Sequence, residues 1–138
     1  MTETSPSGSR DIALLIARLA IAPLFLISAF YKLAQWPGIV TALDNQGAPL
    51  PMVGGVIAVA AEAVLPIMLI LGLRMRWAAL GLIVYVLGTN LIAHRFWEFS
   101  GGAQLGQMLA FFKNIALCGG LLVLTIIGPG RFSMQPRP

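Results

Sequence analysis

The chain of 138 residues is 58% hydrophobic and only 10% charged, with a mean hydropathy of +0.87 and a net charge of +4. Soluble domains carry about 25% charged residues, so this composition excludes a water-soluble enzyme, a nucleic-acid-binding domain and a disordered protein. The single cysteine, Cys118, and the single histidine, His94, exclude an internal disulfide, a CxxC pair, a cysteine-ligated iron–sulfur cluster and a bis-histidine haem within one chain.

Residues 1–11 are polar and rich in Ser, Thr, Pro and Gly, and read as a flexible tail. Four apolar runs follow, at 12–33, 52–73, 77–93 and 105–127. Each reaches or approaches the roughly 20 residues that cross a hydrocarbon core. The first run is too long for a signal-peptide core of roughly 7–15 residues and reads as a retained span. The third is the shortest and can draw on His94 and Arg95. The fold class expected is therefore all-α, an integral membrane bundle of four transmembrane helices. The chain divides into a tail at 1–11, a membrane domain at 12–128 and a polar, proline-broken tail at 129–138.

The connections differ in length. The Arg74-Met75-Arg76 turn is tight, which makes the second and third spans antiparallel neighbours. The first connection is long, and Pro37 and Gly47 have the positions to start and end a short helix. Ile39, Val40 and Leu43 fall on one side of it, as in a helix lying on the membrane surface with Trp36 among the headgroups. Four spans place both termini on one side, with Arg10, Arg74, Arg76, Arg131 and Arg137. The other side holds Lys32, Arg95 and Lys113, diluted by Asp44 and Glu98. The positive-inside rule then expects both termini in the cytoplasm.

Six polar residues lie in or at the edge of the spans: Arg18, Lys32, Glu62, His94, Lys113 and Asn114. A charge at the bilayer centre costs about 2.5–3.5 kcal/mol even on lenient scales, so such groups face inward and pair. Arg18 and Glu62 differ in depth by roughly 7 Å, counted at 1.5 Å per residue. An arginine side chain covers that gap, and a Glu62–Arg18 pair is expected. Pro66 and Pro23 remove the N–H groups due to the carbonyls of Glu62 and Leu19, which leaves backbone acceptors beside both charges. In the outer half, Ser28 and Lys32, Asn90 and His94, and Asn114 and Cys118 stand four residues apart, each pair on one helix face, with Gln107 near the same stripe. These stripes converge on an outer polar cavity. The plainer alternatives are a structural ion pair at Glu62, lysines that snorkel to headgroups, and an inert Cys118. Gly119-Gly120 lets another helix approach closely.

The stretches RLAIAPLFLISAFYKL, AEAVLPIMLILGLRMRWAAL, HRFWEF and FFKNIALCGGLL carry a resemblance to a known family. Over roughly residues 12 to 128 the chain resembles the DoxX family of small four-helix bacterial membrane proteins. The resemblance implies association with quinone- or thiol-linked redox metabolism, since members are linked to thiosulfate–quinone oxidoreduction, oxidant defence and quinone resistance. Carried over by motif, the polar positions are Arg18, Lys32, Glu62, His94, Lys113 and Asn114.

Two functions are open at this point. In the first, the chain is a redox-associated membrane subunit that binds a quinone-like headgroup in the outer cavity. Lys32, Lys113, His94, Tyr31 or Asn114 would donate to the quinone carbonyl, and His94 or Glu62 would relay protons. No cofactor is covalently bound, no metal is expected, and a partner supplies the electrons. In the second, the chain is a non-catalytic accessory subunit of a larger membrane complex, held to other subunits, to lipid or to itself. A small-solute channel is a weaker third reading.

Overall fold

A computed structural model describes residues 6–135. The helices run α1 (Pro6–Ala34), α2 (Gly38–Asn45), α3 (Pro51–Leu71), α4 (Met75–Ala93) and α5 (Gly101–Ile127), with a 3-10 turn at Phe96–Glu98 before α5. The described residues contain no strand. Four of the helices are long and apolar enough to cross a membrane. The 21 residues of α3, the second span, rise about 31 Å, the thickness of a hydrocarbon core. Large apolar side chains such as Ile16, Leu24, Ile27, Val84, Leu91 and Ile126 stay exposed around the outside. In water that surface would be untenable. In lipid it is the expected face.

The long helices close a ring in which α1 packs on α3, α3 on α4, α4 on α5, and α5 back on α1. The α1–α5 seam is the loosest of the four. The start of α1 and the end of α5 lie together. Arg131 donates its backbone N–H to the Asp11 carboxylate at 3.1 Å, and Met134 donates to the Leu71 carbonyl at 2.8 Å. We call this the terminal end of the bundle, and the opposite end, with α2 and the 3-10 turn, the distal end.

The expected tail at 1–11 is shorter than the sequence implies. Residues 6–11 continue α1, with Pro6 in the first turn where its missing N–H costs nothing and Asp11 held by the returning chain. Residues 1–5 lie outside the described part. Residues 129–134 strap across the terminal end. Beneath them Leu14, Leu69, Met75, Leu121 and Leu124 fill the interior. Gly72 ends α3 at φ +69, and a Cβ there would stand 2.5 Å from the Cβ of Ser133. Only glycine takes both that conformation and that contact without strain.

α2 forms where the first connection places it, following Pro37 and ending ahead of Gly47 at φ +70. It packs on the start of α3, where Gly54 and Gly55 lack side chains. A Cβ on Gly55 would meet the Trp36 ring at 3.0 Å, and one on Gly54 would meet Leu43 at 3.4 Å. Trp36 is therefore half-buried against α3. Trp77 and Trp97 are exposed, at the terminal and distal ends.

Candidate functional site

Buried leucines fill the terminal half of the ring, whereas the distal half is hollow. Its polar side chains need partners rather than hydrocarbon, and they hold the helices around a cavity of about 300 Å³. That is the lower bound of ordinary ligand pockets. Leu24, Phe25, Ala58, Val86 and Leu117 form its apolar wall, and α2 covers its distal side with Ile39, Ala42, Leu43 and Gln46. Ser28, Lys32, Glu62, Tyr85, Thr89, His94, Lys113 and Asn114 supply its polar groups.

Glu62 is buried, and its partner is Lys32, not Arg18. The Lys32 ammonium donates to Oε1 at 2.7 Å and to Oε2 at 2.6 Å, and gives its third hydrogen to Ser28 Oγ at 2.6 Å. Tyr85 on α4 donates its hydroxyl to Glu62 Oε1 at 2.7 Å. Side chains on a helix lean toward that helix's N-terminus. Lys32 on α1 leans inward from the distal end, and Glu62 on the antiparallel α3 leans outward to meet it. Arg18 leans the same way as Lys32, and from its deeper position that lean carries it toward the terminal end and away from Glu62. This directional signal is present in the sequence once the antiparallel arrangement is known, and depth counting alone overlooks it.

Arg18 therefore lies outside the cavity. It is 1% exposed and donates to the backbone carbonyls of Pro129, at 2.8 Å, and of Phe132. Its Nε has no partner among the described residues. The expected Glu62–Arg18 pair is thus replaced by two separate devices, an ion pair in the distal half and a clamp on the C-terminal strap.

A second polar group closes the α4–α5 seam. Asn90, fully buried, donates to the Phe111 carbonyl at 3.1 Å and accepts from Asn114 Nδ2 at 2.8 Å. His94, the residue that ends α4, has Nδ1 2.9 Å from Gln107 Oε1. With that carbonyl oxygen as acceptor, Nδ1 carries the hydrogen and Nε2 is left as an acceptor. Arg95 reaches across the distal end to the Gln46 carbonyl at 2.9 Å and pairs with Glu98 at 3.3 Å.

Lys113 is different in kind. It lines the cavity, is exposed, and has no hydrogen-bond or ion-pair partner among the described residues. Lys32 has no hydrogen left to give, so Lys113 is the free cation of the distal half among the described residues. Tyr31 does not reach the cavity. It lines a separate shallow cleft of about 230 Å³ between α1 and α2, which shares Lys32, Ile39 and Ala42 with the cavity wall. The residue the sequence reading overlooked is Tyr85. Its signal was a lone hydroxyl-bearing ring inside an apolar span, a group that needs a partner when buried.

Comparison with known proteins places the chain in a family. The DoxX family model matches residues 13–95, which covers α1 to α4 and not α5. The inner membrane protein YphA of Escherichia coli (strain K12) is 39% identical over 130 residues, covering 94% of this chain and 93% of that protein. The inner membrane protein YqjF of the same strain is 30% identical over 133 residues, 91% of each chain. No solved structure gives a significant match.

Proposed function

The chain belongs to the DoxX family, and from that premise we propose that it is a multi-pass inner-membrane protein that binds a quinone-like headgroup in its distal cavity. It serves there as the membrane subunit of a redox system. Both termini face the cytoplasm in this reading, because Arg10, Arg74, Arg76 and Arg131 cluster at the terminal end. The cavity then opens toward the outer leaflet.

The observation that carries the reading is the unpaired ammonium of Lys113 in the wall of a mostly apolar cavity. A quinone is a flat apolar ring with two carbonyl acceptors. Lys113 and the second Nδ2 hydrogen of Asn114 are donors suited to one carbonyl. His94 Nε2 is an acceptor suited to the hydroxyl of the reduced form. Reduction of a quinone to a quinol takes two electrons and two protons. In this reading His94 passes the protons through Nε2, and a partner reductant supplies the electrons. The Lys32–Glu62 pair positions α1 and α3 around the ligand and does not donate to it.

The test is ligand-induced stabilisation of the detergent-purified protein by a decyl-substituted benzoquinone. At a hundredfold excess over Kd, binding adds about 2.7 kcal/mol. Lys113→Met should keep the ligand-free stability, since no partner is lost, and should weaken binding by the worth of a charged hydrogen bond, about 1.5–3 kcal/mol. Absence of stabilisation in the wild type, or equal binding by Lys113→Met, rejects the quinone site. The accessory-subunit reading then stands. It is supported by the structural partners of Lys32, Glu62 and Arg18 and by lipid-facing Gly88, Gly106 and Gly119, where a Cβ would meet nothing within 4 Å.

A further inference from the structure

The cavity is enclosed on five sides and not on the sixth. α2 covers it distally, the leucine-rich interior closes it toward the terminal end, and the α1–α3, α3–α4 and α4–α5 seams are tight. Two of its lining residues are themselves exposed on the outer surface of the ring: Leu24 of α1, 52% exposed, and Lys113 of α5. These residues flank the α1–α5 seam, the loosest in the ring. Just beneath them α1 and α5 meet with Ile21 set against the bare backbone of Gly120. A Cβ at Gly120 would lie 3.7 Å from Ile21 Cδ1, an ordinary contact.

We propose that the α1–α5 seam is a lateral entrance from the lipid, through which a membrane-dissolved amphiphile inserts its polar head beside Lys113 while its apolar tail stays in the seam over Gly120. The identity of the head rests on the quinone reading above. The entrance and the tail groove rest on the seam itself. The chemistry is consistent along the route. A single apolar chain suits a groove between Leu24, Ile21 and Gly120, and the one free cation of the distal half among the described residues stands at its inner end. The cleft between α1 and α2, which shares Lys32, Ile39 and Ala42 with the cavity, is the competing entrance.

The entrance can be tested without any quinone. In a Cys118→Ala background, Thr89→Cys places a thiol in the cavity wall. Membrane-soluble N-ethylmaleimide should label it, and a charged methanethiosulfonate should label it far more slowly. Side chains lean toward the helix N-terminus, so Gly120→Trp covers the turn that carries Leu117 and shuts the seam at cavity depth. It should slow maleimide labelling by about tenfold or more, the effect of about 1.36 kcal/mol on a barrier. Gly119→Trp, whose side chain would face open lipid, and Gly38→Trp, which fills only the α1–α2 cleft, should label like the parent. If Gly120→Trp misfolds, Gly120→Leu serves with a smaller effect. Unchanged labelling in the Gly120 variants, slowing by Gly38→Trp, or equal labelling by the charged reagent overturns the entrance. The decyl benzoquinone should protect the parent thiol better than its tail-less counterpart. Seam-gated labelling without any quinone protection upholds the entrance and overturns the quinone reading instead.

Discussion

The Lys32 ammonium bridges both carboxylate oxygens of Glu62, at 2.7 and 2.6 Å, and so ties the distal end of α1 to the middle of α3. This pair, rather than one between Glu62 and Arg18, satisfies the buried carboxylate. In the low dielectric of a bundle interior, the charge of either partner is tolerable only in the presence of the other.

Removing one partner should therefore cost more than removing both. Glu62→Gln leaves the lysine uncompensated and is expected to destabilise by about 3–5 kcal/mol. Adding Lys32→Met should recover much of that loss, whereas adding Arg18→Met should recover none. Thermal unfolding in detergent measures all four proteins. Rescue by Arg18→Met would reverse the pairing.

Tyr85 contributes one donor to a carboxylate that keeps its two bonds from Lys32. Tyr85→Phe keeps the ring and loses only the hydroxyl. The expected cost is about 1.5–3 kcal/mol, the range for a hydrogen bond to a charged group. It should fall below the cost of Glu62→Gln in the same unfolding measurement.

Arg18 depends on the strap. A chain ending at Gly128 loses the Pro129 and Phe132 carbonyls and strands a buried guanidinium. That truncation should destabilise the protein by about 3–5 kcal/mol. In an Arg18→Met background the same truncation should cost far less. A double-mutant cycle isolates the coupling, and additive losses would show that Arg18 does not hold the strap.

Across the α4–α5 seam, Asn114→Leu orphans the Oδ1 of buried Asn90. The cost of an unsatisfied buried acceptor is about 1–3 kcal/mol. The double variant Asn90→Leu with Asn114→Leu should be closer to wild type than the single one. Equal losses in both would mean that the amide pair does not hold the seam.

Orientation is a separate question with a direct answer. In a Cys118→Ala background, Ser9→Cys and Ser100→Cys lie at opposite ends of the bundle, and both native residues are exposed. An impermeant thiol reagent applied to intact cells should label the second and not the first. The opposite pattern would invert the assigned topology.

The number and type of elements were legible in the sequence because apolar length is a one-dimensional property. Four long runs, a tight arginine turn and a short helix after Pro37 need no knowledge of what packs against what. The list of polar residues was legible for the same reason: a charge inside an apolar run marks itself. Which of them meet was not. Glu62 stands between Arg18 and Lys32 in depth, and distance along a helix axis does not choose between them. The choice follows from the lean of each side chain in an antiparallel pair and from the strap that returns to claim Arg18. Lys113 shows the same limit. The sequence marks it as one of two lysines in the outer half. Only the tertiary structure, by engaging every hydrogen of Lys32 with Glu62 and Ser28, leaves Lys113 as the one with donors free for a ligand.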